Sequence, residues 1–267
     1  MFEFTFDSFS DEQRDAYLAR IGFREETSVC KQTLDRLVYL HQCSVPFEDL
    51  DPVLGVDPLP LDAQSLFDKI VTRRRGGFCF ELNGAFMLLL RAIGFDAYSC
   101  VCRVAAFSDQ FGALSHRGTI IRLNGKKYFC DVGFGGPMAP FAVEISSERQ
   151  TLNGETSWIE ELEEGWYLQR RLDRKGEEKN CVIFSLQPFL PMDFDILCRF
   201  LMGIENFTFR MIPIANLRTP DGAIQLEGDQ LTIRKGDAVT KKIFPKEELD
   251  AVLKEYFGII LPPHAPV

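Results

Sequence analysis

Three side chains, far apart in the chain, have the types and settings that acyl transfer or hydrolysis through sulfur requires. Cys79 stands in Arg73-Arg-Arg-Gly-Gly-Phe-Cys-Phe-Glu-Leu-Asn-Gly-Ala-Phe86, between a glycine pair and an apolar run. Cys79, Leu82, Phe86, Leu89 or Leu90, and Ile93 recur at helical spacing, and Gly94 follows where a C-terminal cap belongs. Cys79 therefore opens a helix and faces inward. The unbonded amides and positive dipole end of a helix start favour an anion, which is the setting in which a thiol becomes a nucleophile. Gly76-Gly77 would let the backbone pass close to an incoming carbonyl, with an amide of Cys79 or Phe80 available to a developing oxyanion. On this segment alone a buried structural cysteine is the simpler reading, since cysteine is among the most buried residue types.

A histidine changes the balance. Of the three in the chain, His264 lies in a proline-rich tail, and His41 shares a helix face with Leu34, Leu37 and Val38, as a hydrogen-bonded core histidine would. His116 remains, just before a hairpin whose register can be read directly. Asn124-Gly125 signals a two-residue type I′ turn, so Leu123 pairs with Lys126, Ile121 with Tyr128, Thr119 with Cys130 and Gly118 with Asp131. His116 then lies diagonal to Asp131 on one face, within reach of an imidazole–carboxylate contact, and Gly118 leaves room for the ring. Cys, then His, then Asp specifies a thiolate–imidazolium site, the carboxylate fixing the ring's tautomer.

The elements that must position these groups change period along the chain. Residues 1–94 read as a helical bundle, with a capping box at Ser10-Asp-Glu-Gln13 and helical spacing through Ala63, Leu66, Phe67 and Ile70. Residues 95–190 turn to β-branched and aromatic strands between turn signals, as in a barrel or strongly curved sheet. Residues 191–267 read as a mixed α/β unit, with a helix over 193–202, turns at Pro220-Asp-Gly222 and Gly228-Asp229, and a helix from about Pro245 to Phe257.

Composition sets the surroundings. A chain of 267 residues with 46% apolar residues and 24 Phe has ample material for buried cores. Its net charge of −9 argues against a general affinity for nucleic acid, so an anionic ligand must be met locally. The start, Met1 to Asp7, lacks the basic region and apolar core of a signal peptide, and the best apolar run, Ala85–Leu90, stops at Arg91. A soluble cytoplasmic protein without a membrane partner is expected. Eight irregularly spaced cysteines read as reduced thiols. Cys100 and Cys102 alternate on one strand face, and with so few histidines no metal site is expected.

In order and wording, "RGGFCFELNGAF" (75–86), "SHRGTII" (115–121) and "DVGFG" (131–135) resemble the arylamine N-acetyltransferases, as do "VPFEDLDPVLG" (45–55) and "FSLQPFLPMDF" (184–194). The resemblance covers essentially the whole chain and is looser beyond Phe207 and Phe209. It implies a multidomain α+β fold, made of an N-terminal helical bundle, a central β-barrel and a C-terminal α/β lid around a cysteine-protease-like core. Cys79, His116 and Asp131 would form the triad, with acetyl-CoA as co-substrate, no bound cofactor, and an aromatic amine, hydrazine or N-hydroxyarylamine as acceptor. Phe134 and Gly135 resemble the pocket wall, and Ser115 and Phe80 are weaker candidates for donor contacts. Glu48 is expected to pair with Arg75 and hold the loop before Cys79. Asp49 departs from the family, which usually carries Asn after the Phe-Glu pair. The three residues alone are also compatible with an amide synthase of the same fold using a carrier-bound acyl group, with a transglutaminase-like or papain-like hydrolase, and with a non-catalytic binding module. The oligomeric state is not legible.

Overall fold

The computed structural model describes residues 5–56, 59–106 and 111–261; His264 lies outside them. Helix α1 (Asp11–Ile21) starts at the expected capping box: Gln13 N–H donates to Ser10 Oγ at 3.3 Å, and Ser10 N–H donates back to Gln13 Oε1 at 3.0 Å. Helix α2 (Lys31–Ser44) turns Leu34, Leu37, Val38 and His41 inward. After the short α3 (Leu50–Val53), α4 (Ala63–Phe67) runs into a wider π-helical turn at Asp68–Thr72. Helix α5 (Cys79–Ile93) is buried along most of its length and ends at Gly94, whose φ of 108° suits a residue without a Cβ. His41 is a core histidine: its Nε2 lies 2.9 Å from the Tyr17 hydroxyl, and burial holds it neutral, with a pKa of about 3.

The barrel is an eight-stranded antiparallel sheet. Its strands are β2 (Asp96–Val104), β3 (Leu114–Leu123), β4 (Lys126–Cys130), β5 (Val143–Glu144), β6 (Gln150–Leu152), β7 (Glu155–Glu161), β8 (Trp166–Leu172) and β9 (Glu178–Ser185), in the order β5-β4-β3-β2-β9-β8-β7-β6. The Ile159 amide of β7 donates to the Ser146 carbonyl, just past β5, at 3.1 Å and nearly closes the sheet on itself. Phe129 stacks on Phe184 inside it, ring centres 4.2 Å apart. The hairpin register is the expected one: Leu123 faces Lys126, Ile121 faces Tyr128 and Thr119 faces Cys130.

Helix α6 (Pro191–Met202) begins two residues before the expected start, because Pro191 fits a first helical turn. Its buried Phe194, Cys198, Leu201 and Met202 join the core of the N-terminal helices, each large side chain contributing roughly 1.5–3 kcal/mol of burial. A second, five-stranded sheet has the order β1-β10-β11-β12-β13, from β1 (Phe47–Glu48), β10 (Ile214–Thr219), β11 (Gly222–Glu227), β12 (Gln230–Lys235) and β13 (Ala238–Ile243). Helix α7 (Leu249–Val252), continuing as a π-helical turn through Phe257, packs on it. The edge strand β1 comes from the segment read as helical. It is extended because its backbone has partners on both sides: Phe47 and Glu48 pair with Asn216 and Ala215, and Glu48 N–H donates to the Gly77 carbonyl at 2.9 Å.

Asp49 joins the two regions. Its amide donates to the Ile214 carbonyl (3.2 Å), its Oδ1 accepts from the Ile214 amide (2.7 Å), and its Oδ2 is buried without a partner. Burial, with the nearby charge of Glu48, pushes this carboxyl up to about 8 against the pull of the Ile214 amide. A carboxyl raised by folding stabilises fully only below its unfolded value of about 3.9, and that contribution is lost as pH rises through about 8. Asp49→Asn should therefore melt like the parent near about pH 4 and be more stable by roughly 1–3 kcal/mol near about pH 9. Thermal midpoints measured across that range check it; a difference independent of pH would contradict the argument.

Candidate active site

Cys79 sits at the first position of α5, 4% exposed. Its neighbour Phe78 gives its amide to Glu81 Oε2 at 2.7 Å, so the first turn is closed by a carboxylate from within the helix. His116 lies on β3 opposite Cys102, and its Nε2 is 2.6 Å from Asp131 Oδ2. With Nε2 taken by Asp131, Nδ1 is the ring nitrogen left for the Cys79 sulfur. Burial alone would lower the His116 pKa; the charge of Asp131 and then that of Cys79 outweigh it and carry it to about 10. Asp131 is fixed in turn. Its Oδ1 accepts from Asn83 Nδ2 and from the Gly133 amide, both at 2.8 Å, and its carbonyl accepts from Gln42 Nε2 at 2.9 Å. Ring and carboxylate are thus joined, with the Cys79 sulfur near enough for its charge to act on the ring.

Two glycine expectations are corrected. The space beside Gly118 is filled by Phe129 and Cys102, since an added Cβ would stand 2.4 Å from the Phe129 ring; it does not house the imidazole. Gly76 and Gly77 make room for the protein itself. A Cβ on Gly76 would lie 2.0 Å from the Pro46 carbonyl oxygen, and one on Gly77 would lie 3.0 Å from Glu81 Oε2. The glycine pair lets the loop before Cys79 lie against β1 and under Glu81.

That loop is anchored by ion pairs. Arg75 Nε and Nη2 donate to the two Glu48 oxygens at 2.9 and 3.0 Å, and Nη2 also reaches Asp51 Oδ1 at 2.8 Å. Lys69 Nζ joins Asp51 Oδ2 (2.8 Å) to both oxygens of Glu81 (2.8 and 3.0 Å). Despite burial, these carboxylates hold the Lys69 and Arg75 pKa values above the usual range.

The remaining candidates separate. Phe134 turns its ring edge-on to His116, centres 5.8 Å apart. Gly135, at φ 72°, approaches Phe47 so closely that a Cβ would sit 2.9 Å from that ring. Both line a cleft of about 920 Å³ whose walls also include the turn after β8 and the strands β10 and β11. The Ser115 hydroxyl bonds the Ala113 carbonyl, and the Ser115 carbonyl accepts a long contact from Cys79 Sγ, 3.9 Å. The Phe80 side chain is fully buried between Phe78 and Phe194, away from the cleft, which leaves only its backbone for a substrate. Sequence reading missed Asn83, Lys69 and Glu81. A lysine and a glutamate on otherwise apolar helix faces, and an asparagine one turn after Cys79, were the available signals.

Comparison with known proteins decides the family. A sequence profile described as N-acetyltransferase matches residues 32–265. An arylamine N-acetyltransferase of Escherichia coli is 36% identical over 257 residues, covering 91% of this chain and 87% of the relative. The chain belongs to the arylamine N-acetyltransferase family. Among solved structures of that family, the enzyme of Salmonella typhimurium superposes with a TM-score of 0.88 at 25% identity, covering 97% and 96% of the two chains. A Mycobacterium marinum arylamine N-acetyltransferase solved in complex with CoA gives 0.84 at 26% identity, covering 92% of each. The acetyltransferase fold of these neighbours, helices with a nearly closed antiparallel barrel, is the one described above. No helix among the described residues is long and apolar enough to cross a membrane.

Proposed function

We propose that this arylamine N-acetyltransferase carries acetyl groups from acetyl-CoA to aromatic amines, hydrazines or N-hydroxyarylamines through an acetyl-cysteine at Cys79. One observation carries this reading: a buried imidazole held at 2.6 Å by Asp131, with the Cys79 sulfur near enough for its charge to raise the pKa of the ring. The His116 pKa of about 10 keeps the ring cationic at neutral pH, the partner a thiolate needs. In the first half-reaction the sulfur attacks the thioester carbonyl, and the bond to CoA sulfur breaks. CoA leaves with the proton that His116 gives up. In the second, the amine attacks the acetyl-cysteine, the neutral ring takes the amine proton, and the amide leaves as the thiolate returns. First-turn amides of α5, at Cys79 and Phe80, are the donors for the oxyanion. Phe134 and Gly135 supply an apolar edge for a flat acceptor and the donor's thiol arm. Along the cleft Arg218 is paired with Glu155 and Asp131 with His116; Arg171, Arg174, Lys175 and Arg234, facing Asp173 and Asp221, are the basic groups left for the donor's phosphates.

The test is intact-protein mass spectrometry after mixing with acetyl-CoA and no amine. One acetyl group on Cys79, discharged by an aromatic amine or hydrazine, is expected. Acetylation elsewhere, or none, removes Cys79 from the role.

A further inference from the structure

Arg117 follows His116 on β3 and is 3% exposed. Its hydrogen bonds go to neutral oxygens: Nε and Nη2 to Ser99 Oγ at 2.9 and 2.8 Å, and Nη1 to the Phe80 carbonyl at 3.2 Å. The Phe194 ring lies 4.3 Å from the guanidinium carbon. Space is reserved for the group, since a Cβ on Gly84 would stand 2.5 Å from Nη1. Among the described residues no carboxylate bonds it, whereas Lys69 and Arg75 nearby are each bound to carboxylates. Among the described residues Arg20 also lacks a bonded carboxylate, but three backbone carbonyls surround it and its titratable neighbours are Arg74 and the buried, neutral Tyr17. Arg117 instead feels the sulfurs of Cys79 and Cys100, and Asp195 on the exposed side of α6.

A buried guanidinium with no counter-ion is costly, and chains seldom keep one without an anion to meet. Near the sulfur the charges count simply. His116 and Asp131 cancel, so an ionised Cys79 leaves one surplus negative charge in a buried place. We propose that Arg117 is a positioning residue for the transfer reaction: the fixed counter-charge, held against the first turn of α5 through the Phe80 carbonyl, that keeps Cys79 ionised. This rests on Cys79 being the nucleophile. It gives Gly84 a reason, as the gap in α5 through which the guanidinium reaches the helix backbone.

The rate of Cys79 alkylation by iodoacetamide, followed by peptide mass mapping against pH, tests it, with half-buried Cys30 and Cys43 as references in the same sample. In Arg117→Gln the Cys79 profile should move to higher pH, slowing alkylation at neutral pH by about tenfold, while Arg117→Lys keeps the rate within about threefold. A purely structural arginine would alter the melting temperature and leave the profile in place, and that result overturns the proposal. Should the glutamine variant not fold, the unaltered enzyme decides. The Nε–H nuclear magnetic resonance signal of Arg117 should follow the Cys79 alkylation midpoint and lose that response once the sulfur is carbamidomethylated; an indifferent signal refutes the assignment. Failure to form acetyl-Cys79 would sink the nucleophile itself, whereas normal acetylation with an unmoved Gln profile sinks Arg117 alone.

Discussion

Cys79→Ala is expected to lower acetyl transfer by about 10³-fold or more, with the thermal midpoint close to the parent's. The loss is large because a covalent route disappears and nothing nearby replaces it. Cys100, Cys102 and Cys130 are fully buried in the barrel wall, and burial raises the pKa of Cys102 and of Cys130 well above the ordinary thiol range. The small effect on stability follows from the contacts of the sulfur. Its hydrogen-bond contact to the Ser115 carbonyl is long at 3.9 Å, and alanine leaves the Phe78–Glu81 closure of the helix start intact. Cys79→Ser should fall nearly as far, since a hydroxyl beside the same imidazole ionises far less readily than a thiol. Acetylation of an aromatic amine by purified variants, with circular dichroism as the folding control, checks both. Residual transfer above about a tenth of the parent rate would mean that the acetyl group passes directly from donor to amine.

What the sequence discloses about this site is set by the range of the interactions involved. The start of α5 and the pairing of β3 with β4 are local: helical spacing from Cys79 to Ile93 and the Asn124-Gly125 turn define them within one segment each. From the register alone His116 and Asp131 come out as neighbours, and they are bonded. Contacts between distant segments carry no such period. Nothing in Phe47-Glu48 signals an edge strand, because its partner Asn216-Ala215 lies in the last third of the chain. Gly76 reads from sequence as a place where an incoming carbonyl comes close, but the carbonyl that comes close is the protein's own, that of Pro46, and only three dimensions identify it. Likewise α6 carries an ordinary amphipathic pattern; that Phe194 reaches the N-terminal core, between Phe80 and the Arg117 guanidinium, depends on how the chain returns after the barrel. Polar groups inside the core were the hardest to read. Lys69, Glu81 and Asn83 look like solvent-facing punctuation until the helices are packed together.

Lys69 is where that hidden polarity has its largest consequence for stability. Lys69→Met should destabilise the fold by about 3–5 kcal/mol, a midpoint lower by roughly 6–20 °C. Methionine is an unbranched chain of similar length, so little packing is lost in this buried place; what it removes is the ammonium that binds Glu81 on both oxygens and Asp51 on one. Glu81 is 1% exposed, and burial already raises its pKa against the pull of that ammonium. Without Lys69 the carboxyl must take up a proton, which weakens its bond to the Phe78 amide, or remain charged and unpaired, without the ammonium that holds it in place. The damage then reaches the chemistry, because that bond fixes the turn on which Cys79 stands. Removing both partners distinguishes this account from a simple packing defect. Lys69→Met with Glu81→Gln should recover a large part of the lost stability, because no buried charge is stranded at Glu81, yet it should recover acetylation of Cys79 less well, since a neutral amide holds the Phe78 N–H less firmly than a carboxylate. Equal recovery of stability and acetylation would show that Glu81 contributes to the fold without orienting the nucleophile.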